Sequence, residues 1–101
     1  MVTTQITERE LQAPPSLGLE TRATFRQSGL DLLEQLPEGA GRLVINLART
    51  RHVDSAGLGA LMLVQRRAAE RRQRVALRET SEELRFLLVL TKLDDLFEIE
   101  G

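Results

Sequence analysis

Leu43-Val44-Ile45-Asn46-Leu47, followed by Val53-Asp54-Ser55-Ala56-Gly57-Leu58-Gly59-Ala60, decides how this chain folds. The first run is almost wholly apolar and reads as a strand, Arg42–Leu47, covered on both faces. Beyond it, Leu58, Leu61, Met62, Gln65, Ala68 and Ala69 recur on one side of a helix running from about Ser55 to Arg72. Ala48–Val53 is a short connection between the two. Val75-Ala76-Leu77 is a further short strand, so residues 43–77 make a strand–helix–strand unit that should be parallel and right-handed. Asp54 and Ser55 fall at the helix start, where unpaired backbone N–H groups and the positive dipole end favour an anion. A phosphoryl group on Ser55 is tolerable there, which makes Ser55 a candidate switch site.

Working outward, residues 2–11 alternate weakly and hold one short strand, placed at Thr4–Glu8. Pro14-Pro15 donates no backbone hydrogen bond, so a second strand there must be short, at an edge or absent. Phe25, Gly29, Leu32, Leu33 and Leu36 are spaced as the inner face of a helix, with Gly29 costing about 1 kcal/mol relative to alanine. Pro37-Glu38-Gly39-Ala40-Gly41 is a loop. Thr80-x-x-Glu83 reads as a capping box opening a last helix, whose buried side is Leu84, Leu87, Leu88 and Thr91. Leu96-Phe97-Glu98-Ile99 reads as a closing strand.

The 101 residues suffice for one domain and not two. With 42% hydrophobic and 29% charged residues the composition is that of a soluble globular protein. The chain has no cysteine, which excludes disulfides and thiolate metal sites and fits a cytoplasmic setting. A net charge of −1 and the absence of Tyr and Trp argue against nucleic acid as a partner. No signal peptide and no run of about 20 apolar residues is present, so direct membrane insertion is not expected. Arg66, Arg67, Arg71, Arg72 and Arg74 read as a solvated helix end, with Glu70 paired to Arg66 or Arg74. His52, the only histidine, cannot form a metal site alone, and no metal or other cofactor is implied.

The strand at 43–47 with Val53-Asp54-Ser55-Ala56-Gly57-Leu58-Gly59 resembles the strand, connection and Asp-Ser-x-Gly-Leu-Gly element of a STAS domain, the family of the bacterial anti-sigma factor antagonists. Leu90-Thr91-Lys92-Leu93-Asp94-Asp95-Leu96-Phe97-Glu98-Ile99 is similar to that family's ending of helix, tight turn and terminal strand. Leu17-Gly18-Leu19-Glu20-Thr21 with Phe25 resembles the entry to its first helix. The resemblance is strongest over residues 42–99. It implies a small single-domain α/β fold, a mixed sheet with helices packed on one side, here lacking the usual C-terminal helix. Gly18 stands where family members usually carry an acidic residue.

The resemblance also implies that Ser55 matches the antagonists' phosphoacceptor. In such proteins the unmodified form binds an anti-sigma factor that is also a serine kinase. Phosphorylation breaks the complex, and a phosphatase resets it. The partner-binding surface would comprise Asp54, Ser55, Ala56, Gly57, Leu58 and Gly59. Other STAS domains are accessory subunits of lipid-transport ABC ATPases or pack with sister STAS subunits in stress-sensing assemblies, where the same helix docks without phosphorylation.

From the residues alone, Ser55 also suits a plain helix-capping serine, and Asp54 suits a cap better than a group that orients the hydroxyl. Gly57 and Gly59 suit either close approach of a partner or tight packing of the helix start. Catalysis is not expected. A phosphoaspartate receiver needs further acidic residues at an earlier strand end, where only Glu10 and Glu20 are at hand, and His52 lies too close in sequence to Ser55 for a nucleophile–base pair.

Overall fold

The computed structural model describes residues 6–100. Five-residue strands β1 (Glu8–Gln12), β3 (Arg42–Asn46) and β5 (Arg74–Arg78) and the two-residue β6 (Glu98–Ile99) form one sheet in the order β1-β3-β5-β6. A second ribbon pairs β2 (Ser16–Leu17) with β4 (His52–Val53). Helices α1 (Arg22–Gln35), α2 (Ser55–Glu70) and α3 (Glu82–Leu90) complete the domain, with a single 3-10 turn at Asp94–Leu96. Every pairing among the described residues is parallel, so the expected mixed sheet shows only parallel members there.

The first strand lies further along than Thr4–Glu8, part of which falls outside the described residues. Glu8, Glu10 and Gln12 turn to solvent while Arg9 and Leu11 turn inward, and the register sets Glu8 opposite Arg42. Pro14 and Pro15 serve only as acceptors. Arg51 N–H donates to the Pro15 carbonyl at 2.8 Å and the Thr50 hydroxyl to that of Pro14 at 2.9 Å. The chain read as a plain connection up to Val53 is thereby drawn into the β2–β4 ribbon.

Leu43, Ile45, Val75 and Leu77 point to the helices and meet Phe25, Leu33, Leu61, Val64, Leu84 and Leu88 in one core. Each such leucine contributes about 1.5–3 kcal/mol by leaving water. The inner stripe of α2 is Gly57, Ala60, Leu61, Val64 and Ala68, with Ala69 exposed, a small rotation from the expected face. Gly29 repays its helix cost through contact. A side chain there would bring its Cβ within 2.9 Å of Val64 Cγ2, where α1 lies against α2. The buried Gln73 amide donates to the Leu33 and Leu36 carbonyls at 2.8 and 3.0 Å, closing the C-terminus of α1.

Among the described residues no helix covers the opposite sheet face, contrary to the doubly covered strand expected at 43–47. Val44 and Ala76 are nonetheless fully buried. Arg42 reaches across β5 to Glu98 at 2.8 Å and Glu100 at 2.6 Å, and back to Glu8 at 2.7 Å. Arg78 pairs with Glu100 at 2.7 Å and crosses β3 to Glu10. The register pairs Val44 with Ala76 between the Arg42–Arg74 and Asn46–Arg78 pairs, a position in which apolar arginine stems can shield them. Arg74 also pairs with Glu98, not with Glu70, whose partner is Arg67.

Hydrogen bonds from Arg78 and then Arg42 hold the Glu100 carboxyl at about 2, against an ordinary 4.5. Arg42 likewise lowers Glu98. Carboxylates depressed on folding stabilise above their unfolded pKa, and that stabilisation disappears as the pH falls through the folded value. The melting temperature should therefore decline between about pH 4.5 and pH 2, and Glu100→Gln should flatten that decline. An unchanged slope in Glu100→Gln, followed by circular dichroism, would remove the lattice from the account of acid stability.

The last helix starts one residue later than a Thr80 cap requires. Ser81 is the cap, accepting from Leu84 N–H at 3.1 Å, while the buried Thr80 hydroxyl has no partner. Glu79 adopts a positive φ of 57°, which turns the chain between β5 and α3 and sets Ser81 in the capping position. Leu84 and Leu88 are buried and Leu87 partly so, but Thr91 is exposed as the C-cap.

Candidate functional site

β4 ends at Val53 and α2 begins at Ser55, leaving Asp54 in extended conformation as the N-cap. Its Oδ1 accepts from Gly57 N–H at 2.9 Å and its Oδ2 from Leu19 N–H at 3.3 Å. One carboxylate thus ties the start of α2 to the turn that leads into α1. Gly57 N–H does most to hold the Asp54 carboxyl below its ordinary 3.8, with the Leu19 and Ala56 N–H groups and Arg22 adding to the effect. A Cβ at Gly18 would come within 2.8 Å of Asp54 Cγ. The space a side chain at position 18 would enter is filled by the Asp54 carboxylate.

The capping by Asp54 bears directly on Ser55. The helix end already has its side-chain acceptor in Asp54, and among the described residues Ser55 Oγ makes no protein hydrogen bond. Ser55 is exposed on the first turn of α2. Gly59, four residues on and on the same side of the helix, is exposed too, and a Cβ there would meet nothing within 4 Å. Gly57 is the opposite case. It is buried, and a Cβ there would lie 2.6 Å from the carbonyl carbon of Leu17 and nearer still to the oxygen. The two glycines of the motif have different causes: Gly57 lets the helix start close on β2, while Gly59 leaves bare surface beside the serine.

Of the six residues proposed for contact, Asp54, Ser55 and Gly59 are exposed, Ala56 and Leu58 half-buried and Gly57 buried. Sequence reasoning missed the neighbours. Leu19, 66% exposed, is held next to Asp54 by its own N–H. On the other side a groove of about 520 Å3 lies between the β4–α2 turn and α3, lined by Leu47, Val53, Asp54, Leu84, Phe86 and Leu90 among others. The signal available was the composition of α3, in which six of nine residues are large and apolar, too many for one buried stripe.

Asp54→Ala removes the cap and the tie to Leu19 and should lower the melting temperature by about 5 °C. Ser55→Ala removes no protein hydrogen bond and should leave it within about 2 °C of wild type. Equal losses in the two variants, measured by thermal denaturation, would show that the serine shares the capping.

Among the described residues no group of three or more His, Cys, Asp or Glu side chains could hold a metal ion, and no helix is long and apolar enough to cross a membrane.

Residues 5–98 match the family model described as Mlab, STAS domain. No individually curated protein matches the chain. Among solved structures, the crystal structure of a Thermotoga maritima protein described as a candidate anti-sigma factor antagonist superposes with a TM-score of 0.79 at 23% identity, over 94% of this chain and 80% of that one. A sulfate transporter family protein from Wolinella succinogenes gives a TM-score of 0.74 at 16% identity, over 93% of this chain and 74% of that one. At such identities the likeness establishes the fold. With three helices on a parallel sheet, the Asp54–Ser55 helix start and a family match over nearly its whole length, the chain belongs to the Mlab group of STAS domains.

Proposed function

We propose that this STAS domain is a non-enzymatic binding module whose docking surface is centred on Ser55, and that phosphorylation of Ser55 by a partner serine kinase of the anti-sigma type releases that partner. The observation that carries the reading is the exposed Ser55 hydroxyl, relieved of capping by Asp54 and next to the bare surface at Gly59. A hydroxyl in that setting is accessible to a kinase, and its phosphate would meet the positive end of α2. The added charge, about −1.5 to −2, is modest for the fold and large for a covered interface. A phosphatase then restores the binding form. In the test, the purified protein is incubated with the serine kinase encoded nearest to it and MgATP, then analysed by intact mass and peptide mapping. One phosphoryl group on Ser55, absent in Ser55→Ala, is the expected result. Modification elsewhere, or none, overturns the phosphoacceptor role.

The second reading keeps the docking surface and changes the partner to the ATPase of a lipid transporter, with Ser55 unmodified. It is favoured by the apolar residues left exposed on α3, which suit a permanent cover better than a transient one. An ATPase that co-purifies equally with wild type and Ser55→Ala, from cells in which Ser55 carries no phosphate, would decide for it.

A further inference from the structure

The Asp54 carboxylate serves two elements at once. Oδ1 accepts from Gly57 N–H at 2.9 Å inside α2, and Oδ2 accepts from Leu19 N–H at 3.3 Å on the turn that leads into α1. That turn is otherwise self-contained. Thr21 Oγ1 accepts from Gly18 N–H at 3.0 Å and donates to the Ser16 carbonyl at 2.7 Å, while Arg22 N–H donates to the Gly18 carbonyl at 2.7 Å. Among the described residues, the bond to Asp54 is the only side-chain hydrogen bond that joins this turn to the start of α2. It also fixes where the exposed side chain of Leu19 stands beside the phosphoacceptor proposed above.

We propose that a phosphoryl group on Ser55 breaks the tie between Asp54 and Leu19, so that the modification reshapes the docking surface on its α1 side as well as charging it. The inference rests on Ser55 being the phosphoacceptor. The first argument is the supply of donors. Leu58 N–H is taken by the Asp54 carbonyl at 2.9 Å. A phosphate on the first residue of α2 must therefore draw on the N–H groups of Ser55, Ala56 and Gly57. Gly57 N–H, and to a lesser degree Ala56 N–H, are the groups that hold the Asp54 carboxyl below its ordinary range. With about −1.5 to −2 charges and three acceptor oxygens, the phosphate is the stronger competitor for them. Arg22, whose charge adds to the hold on Asp54, is drawn to the stronger anion as well. The second argument is repulsion. The ionised Asp54 is adjacent to Ser55 in the chain, and like charges that close disfavour one another. Asp54 is exposed, so its carboxylate is free to turn to water. The bond to Leu19 is the longer and more exposed of its two, hence the one with less to hold it. The phosphate takes over the cap of α2, which keeps the fold, while Leu19 N–H is left to solvent.

Amide NMR of the full chain, with phosphoserine installed at 55 during synthesis, tests it. Asp54→Asn supplies the reference. Asparagine caps a helix about as well as aspartate, but its single oxygen cannot serve both Gly57 and Leu19, so this variant keeps the cap and loses the tie. In the phosphorylated wild type the Leu19 amide proton should move upfield to the position it has in unmodified Asp54→Asn, and its exchange with water should be at least about tenfold faster than in the unmodified wild type. Adding phosphoserine to Asp54→Asn should then leave the Leu19 resonance where it is. A Leu19 resonance unmoved by phosphoserine in the wild type would overturn the proposal. So would an equal displacement in Asp54→Asn, which would show the direct field of the phosphate and not a broken tie. No kinase enters this experiment, so the tie can fail while the phosphoryl-transfer assay on Ser55 succeeds, and the reverse.

Discussion

Gly57→Ala is expected to lose about 3 kcal/mol of stability, the upper end of what overpacking costs, and so about 15 °C in melting temperature for a domain of this size. The reason is geometric. The new methyl carbon would fall against the Leu17 carbonyl, and Leu17 is itself fully buried and paired in the β2–β4 ribbon. Neither element can yield without opening the other. Gly59→Ala is the internal control. Nothing lies within 4 Å of the added carbon, so removing a helical glycine should raise stability by somewhat under about 1 kcal/mol. Urea denaturation of the pair measures both. A mild effect at Gly57 would mean that β2 is not fixed against the helix start.

The second large effect concerns binding. Phosphoserine at 55 is expected to weaken the partner complex by at least about a hundredfold, because an unpaired ion in a covered interface costs several kcal/mol and each 1.4 kcal/mol is a factor of ten. The fold should be indifferent to the same group. A charge at a helix N-terminus gains only about 0.3–1 kcal/mol when exposed. Gly59→Ala offers a separate probe of the surface. It should stabilise the domain and weaken the complex together, a combination that separates a docking role from a folding role. Isothermal titration against the same partner measures each variant.

The strand–helix–strand unit at 43–77 was legible because its apolar periods are strong and its turn residues clear. So was the helix start at Asp54–Ser55, where local preference and tertiary position agree. The sheet's open face was not. Glu8, Glu10, Arg42, Arg74, Arg78, Glu98 and Glu100 are scattered along the chain, and only the parallel register brings them together. A fully apolar strand such as 43–45 gives the same pattern whether its outer face meets a helix or the stems of arginines. The two-residue strands β2 and β4 escaped for a different reason. They are too short for a period, and they exist because the carbonyls of the two prolines accept from the Thr50–His52 segment. At the site, the motif marked the serine but could not distribute the cap between Asp54 and Ser55, nor separate the causes of the two glycines. The cause of Gly57 depends on Leu17 and the second tie of Asp54 on Leu19, both far upstream in the sequence.

The most direct measurement is calorimetric titration of unmodified protein and protein carrying phosphoserine at 55 against the cognate kinase-type partner, with the melting temperature of both forms taken alongside. The account predicts tight binding by the first form, loss of binding by the second, and melting temperatures within about 3 °C of each other. Equal affinities, or a phosphorylated chain that has unfolded, would contradict it.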